Sequence, residues 1–165
     1  MPAAIGLYTW IAAAKREDRV LQAYSDRFDE KITLSLDDLA GPPRRHWSDF
    51  VRGVAATVQR AGYELSGANL LIHGEVPVGA GLSSLASLEV ATALALTTSS
   101  GIALPRLELA KLCQAAEHEY VGTRCGIMDQ FVASFGASGN ALMLDCRSLD
   151  YQLIPVTTES QRRCL

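Results

Sequence analysis

The chain of 165 residues has no apolar run near the roughly 18 residues that a bilayer-spanning helix needs, and no basic segment precedes the apolar residues at its start. A soluble, unexported, cytoplasmic protein is expected. It also lacks any dense lysine or arginine stripe: 15 basic side chains face 18 acidic ones, for a net charge of −3. Nucleic acids and anionic membranes are bound through clustered positive charge, so neither is an expected partner, and a small molecule is. The four cysteines, at 113, 125, 146 and 164, form no CxxC pair and have no histidine at zinc-ligand spacing, which argues against a cysteine-held metal and for reduced thiols. Repeats, low-complexity tracts and a linker dividing two domains are likewise missing. What remains is a chain 48% hydrophobic and 20% charged, too apolar for a disordered tail and too charged for a fibre. A single globular core is expected, with no feature calling for more than a monomer.

The pattern of apolar residues suggests an α+β fold. Ala4 to Ala14 mixes β-prone residues with alanines, and Val20 to Tyr24 and Lys31 to Leu36 alternate apolar with polar, as strands of an antiparallel sheet would. After Gly41, Pro42 and Pro43, the residues Trp47, Phe50, Val51, Val54, Ala55 and Val58 recur at helical spacing until Gly62. Ala68 to Val76 reads as a buried strand, followed by a glycine loop and a packed, alanine-rich helix over Leu88 to Leu96. A helical stripe runs through Leu109, Leu112, Cys113, Ala116 and Tyr120. A short helix over Met128 to Phe135 and closing strands at Ala141 to Cys146 and Tyr151 to Val156 complete the pattern.

Three features carry chemistry. The loop Pro77-Val78-Gly79-Ala80-Gly81-Leu82-Ser83-Ser84 is built from small residues that let backbone approach a ligand, and a helix starting near Ser84 would aim free N–H groups at an anion. It is neither a P-loop, since no Gly-Lys-Ser/Thr follows, nor a dinucleotide fingerprint, since Ser84 stands where the third glycine belongs. A tight turn with a serine cap and no ligand fits the spacing as well. Asp129 follows a glycine-opened turn and two apolar residues, which suits either a candidate base or an ordinary acid in a helix's first turn. Glu117 falls at the edge of an apolar stripe, either as a solvated rim residue or as an inward-facing magnesium ligand, and His118 beside it is expected on the surface.

In order and spacing, PVGAGLSSLASLEVA, CQAAEHEYVG, CGIMDQF and ALMLDCRSL resemble the galactokinases of the GHMP small-molecule kinase superfamily. The earlier YSDRF, LDDL and WSDFVRGV are similar to the region preceding the family's phosphate loop, so the resemblance runs from near the start to about Val156. It implies the GHMP-kinase N-terminal domain, of the ribosomal protein S5 domain 2-like fold, incomplete here over residues 1–156 and followed by an unmatched tail, 157–165. It implies transfer of the ATP γ-phosphate to the anomeric hydroxyl of galactose with Mg2+. By position, Gly79, Ala80, Gly81, Leu82, Ser83 and Ser84 would hold the nucleotide phosphates. Ser25 matches a nucleotide-side position, Glu117 would place the metal, Asp129 would take or orient the sugar hydroxyl's proton, and Gly126 would lie against the sugar.

Two departures from the family pattern bear on activity. Its loop usually reads GLSSSAS, and the third serine, on the metal side of the nucleotide, is Leu85 here. Leucine cannot coordinate magnesium, so weaker metal binding is expected. The family's arginine-bearing segment and Glu-His-Thr-Asp stretch, which grip the sugar, have no counterpart before Met1, and its second half has none after Leu165. Weak phosphorylation of galactose by this chain is therefore expected. A non-catalytic relative that binds sugar or ATP and signals through a partner, another GHMP kinase such as a mevalonate or homoserine kinase, and an unrelated domain with a structural glycine loop are the alternatives.

Overall fold

The computed structural model describes residues 1–156; the tail 157–165, with Cys164, lies outside the described residues. Four strands, β1 (Thr9–Arg16), β2 (Val20–Ser25), β3 (Glu30–Ser35) and β4 (Gly67–Gly74), form a sheet in the order β1-β4-β2-β3. Its inner face carries Leu21, Ala23, Leu34, Ala68, Leu70 and Ile72 against three helices, α1 (Ser48–Arg60), α2 (Ser84–Ser99) and α3 (Arg106–Ala116). Those helices contribute Val51, Val54, Val58, Val90, Ala93, Leu96, Leu109 and Cys113 to one continuous core. A smaller cluster, Ala110, Ile127, Phe131 and Leu142, joins α3 to helix α4 (Met128–Phe135) and to the hairpin of β5 (Asn140–Leu144) and β6 (Tyr151–Pro155).

The architecture is α+β, as expected, with helix α1 and the short helix α4 close to their expected bounds. The antiparallel expectation holds for β2 with β3 and for β1 with β4, but β2 and β4 run parallel. The reason is the connection: helix α1 lies between β3 and β4, and a helical crossover lets the returning strand insert parallel to β2. The first strand begins at Thr9 rather than Ala4, because its pairing with β4 starts at Thr9 opposite Gly74, while Ala3 bridges to Ala141 instead. Strand β4 is half-buried rather than buried. Ala68, Leu70 and Ile72 face the core, and Asn69, Leu71 and His73 point to the exposed side of the sheet, as period-2 geometry requires.

The stripe expected to run unbroken to Tyr120 changes pitch at Glu117. Helix α3 ends at Ala116, and Glu117–Val121 form a π-helical turn. Packing against α1 accompanies this: a Cβ on Gly53 would stand 2.8 Å from the Cβ of Tyr120, so the widened turn brings the tyrosine against bare backbone. Its ring also lies 5.5 Å from the Arg52 guanidinium carbon. Such single π turns in an otherwise α-helical segment are frequent at functional sites, and this one opens on Glu117.

Candidate functional site

The glycine loop forms the wall between two cavities. Gly79 and Gly81 have φ of 75° and 71°, which glycine adopts without penalty, and Ser83, with φ 58°, is a non-glycine residue held in the left-handed region. Ser83 directly precedes α2 but makes no side-chain cap bond, so the serine-cap reading of the loop does not hold. The bond from the Ser87 amide to the Ser83 carbonyl, 3.1 Å, closes the first turn. The helix thus offers uncapped backbone amides and its positive dipole end at the loop.

On one side is a cavity of about 400 Å³ lined by Ser25, Phe28, Trp47, Val78, Ser84 and Leu85, among others. The rings of Phe28 and Trp47 stack there with centroids 5.9 Å apart. Trp47 is fixed from behind by its indole N–H, which donates to Glu30 Oε2 at 2.9 Å. On the other side, a cavity of about 520 Å³ is lined by Gly81, Leu82, Ser83, Ser87 and Asp129, together with the segment Pro2 to Thr9. Thr9 and Val76 line both cavities, and the Thr9 and Ser87 hydroxyls are 2.7 Å apart. Asp129 lies in the first turn of α4, half-buried, and lines the cavity that Gly81, Leu82 and Ser83 also line.

The remaining candidates fall elsewhere. Gly79 and Ala80 are exposed at the loop's crest, and Gly126 is exposed and lines neither cavity. His118 is exposed as expected, with Nε2 2.8 Å from the Cys125 carbonyl. Glu117 is 7% exposed and is not a rim residue. Its Oε2 accepts from Gln130 Nε2 at 2.7 Å and from the Cys125 thiol at 3.2 Å. The same Gln130 nitrogen donates to Oε2 of Glu89 at 3.1 Å. Burial pushes the Glu89 carboxyl up to about 8, opposed by its bond from Gln130 and reinforced by the charge of Glu117. Burial likewise raises the Cys125 thiol to about 11, and its bond to Glu117 adds to the shift.

Sequence reasoning did not pick out Glu89 or Gln130. The signal for Glu89 was a lone acid inside the apolar run Leu88 to Leu96; Gln130 had none, because its role depends on two helices that approach only in the folded chain.

Glu117 suits a magnesium ion: it is a hard carboxylate whose Oε1 has no hydrogen-bond partner among the described residues and is not one of the sealed, unpartnered atoms. Leu85 does not suit one. It stands one helical turn before Glu89 on α2 and contributes only hydrocarbon to the smaller cavity. No group of three or more histidine, cysteine, aspartate or glutamate residues is poised for a metal among the described residues.

The model for the GHMP kinases N terminal domain matches residues 49–137, more than half the chain, from the second residue of α1 through α4. The chain belongs to the GHMP kinases. A galactokinase from Chloroflexus aggregans is 43% identical over 157 residues, which cover 95% of this chain and 40% of that protein. The crystal structure of Lactococcus lactis galactokinase complexed with galactose superposes with a TM-score of 0.90 at 39% identity, covering 94% of this chain and 41% of that one. This GHMP kinase chain therefore spans about two fifths of the length of such relatives. The Methanococcus jannaschii mevalonate kinase structure, at 20% identity and a TM-score of 0.68 over 78% of this chain and 41% of that one, shares the fold. Among the described residues, no helix of this GHMP kinase chain is long and apolar enough to cross a membrane.

Proposed function

We propose that this chain is the ATP-binding portion of a galactokinase, residues 1–156 forming part of that domain, which transfers the ATP γ-phosphate to the anomeric hydroxyl of galactose. The observation that carries the reading is the shared cavity of Asp129 and the loop residues Gly81 to Ser83, beneath the uncapped start of α2. In this reading the nucleotide base occupies the cavity of Phe28 and Trp47, near Ser25, and the phosphates cross the loop Gly79 to Ser84. The sugar occupies the cavity of Asp129. The sugar hydroxyl oxygen bonds to the γ-phosphorus as the bond from that phosphorus to the β,γ-bridging oxygen breaks; the proton passes to Asp129, and ADP leaves. The backbone amides of Ser84 and its neighbours hold the phosphate oxygens in line, which supplies most of what such a loose transition state requires. Glu117 would hold Mg2+, which when bound offsets the charge building on the phosphates. In this reading the protein works as a cytoplasmic monomer.

Calorimetry of the 165-residue chain with ATP, with and without Mg2+, and with galactose tests the reading. Magnesium-dependent nucleotide binding and separate galactose binding are expected; absence of nucleotide binding sinks it. A second reading, a non-catalytic sugar- or ATP-binding regulator, is favoured by Leu85 at the metal side of the loop. Measurable ADP release on adding galactose, absent with Asp129→Asn, decides between the two.

A further inference from the structure

Glu117 is held through one oxygen only. Gln130 and Cys125 both bond to Oε2, at 2.7 and 3.2 Å, and neither reaches Oε1. The primary amide of Gln130 has two protons, and its nitrogen contacts both Glu117 and Glu89. The nitrogen end of the amide thus faces the Oε2 atoms of both acids, as a donor must to bond a carboxyl oxygen. Its Oε1 is left sealed without a partner, a cost tolerated because bonds to carboxylates are the stronger kind. Gln130 is fully buried and adjoins Asp129 on α4, so the helix bearing the candidate base also grips the acid on the π turn.

Resting on the phosphoryl-transfer reading above, we propose that Gln130 is a positioning residue that, together with the Cys125 thiol, occupies Oε2 of Glu117 and reserves Oε1 for a divalent cation. Glu89 is the second anchor that holds the Gln130 amide in that orientation.

Mn2+ binding to the 165-residue chain, followed by electron paramagnetic resonance with ADP present, tests this. Gln130→Met is expected to weaken Mn2+ binding about 10- to 100-fold, the usual cost of losing a group that orients a ligand. Cys125 lies outside the core, so Cys125→Ala should fold; it is expected to weaken binding several-fold, and Cys125→Ser, which restores a donor, should recover it. A residue that only supported the fold would show no such recovery. Urea melts of the metal-free variants separate folding from binding. A folded Gln130→Met chain within about threefold of the parent overturns the proposal, as do equal affinities for the alanine and serine variants. Should Gln130→Met fail to fold, the Cys125 pair decides. Binding lost in Glu117→Gln but kept in the Gln130 and Cys125 variants overturns the clamp alone, whereas no Mn2+ binding by the parent chain overturns the phosphoryl-transfer reading with it.

Discussion

Arg52 donates from Nη2 to Asp49 Oδ1 at 2.9 Å, and the two side chains are only 2% and 3% exposed. The pair ties helix α1 to the segment before it. Arg52 also reaches the carbonyl of Pro42 at 2.9 Å, and Asp49 Oδ2 accepts the Arg44 amide at 2.7 Å. Trp47, which lines the smaller cavity, sits at the end of the stretch so anchored.

Removing one partner of this pair leaves the other charged and sealed. Arg52→Ala is expected to destabilise the chain by about 3–5 kcal/mol, read from urea unfolding, and to shift Trp47 fluorescence toward a more solvated spectrum. A loss below about 1 kcal/mol, the value typical of a surface pair, would show that water reaches Asp49.

Asp129→Asn keeps the shape of the side chain but removes the proposed base. Turnover with galactose is expected to fall about 10²- to 10⁴-fold. The residue is half-buried and makes no side-chain hydrogen bond among the described residues, so stability should change by no more than about 0.5 kcal/mol. Retention of full activity in a steady-state ADP assay would remove Asp129 from the mechanism.

Leu85 is 37% exposed beside the start of α2. Leu85→Ser places a hydroxyl where hydrocarbon now lines the cavity proposed for the nucleotide, so tighter Mg2+ dependence and faster ATP turnover are expected. An unchanged magnesium titration would deny the position any role near the metal.

Glu89 gives the metal-free chain a pH signature. Its folded carboxyl is raised to about 8 from 4.5, so its contribution to stability is present in full below pH 4.5. Between those values the unfolded chain has released this proton and the folded chain has not, so stability falls as pH rises to about 8 and then levels off. Urea midpoints measured across this range should show the decline, and Glu89→Gln should flatten it. An identical slope in that variant would assign the effect to another group.

Much of the fold is legible locally. Met128 to Phe135 stands as a helix at the expected bounds, and the recurrence of Val51, Val54 and Val58 marks the buried face of α1. These follow from short-range periodicity, which is written in neighbouring residues. The change of pitch at Glu117 was not legible, because it accompanies Tyr120 packing on Gly53, a contact between residues far apart in the chain. Nor was the parallel pairing of β2 with β4, since strand direction depends on where a crossover returns.

The amino-acid order by itself determined the α+β composition, the glycine loop leading into a helix, and the motif series that places the chain among the GHMP kinases. Backbone freedom at Gly79 and Gly81 and apolar spacing along each helix are properties of adjacent residues, so they can be read without coordinates. Only the tertiary structure decided that Asp129 shares a cavity with that loop, and that Glu89 and Glu117 meet on Gln130. Those relations depend on how α2, α3 and α4 pack, and a sealed carboxyl with a raised pKa exists only once that packing excludes water.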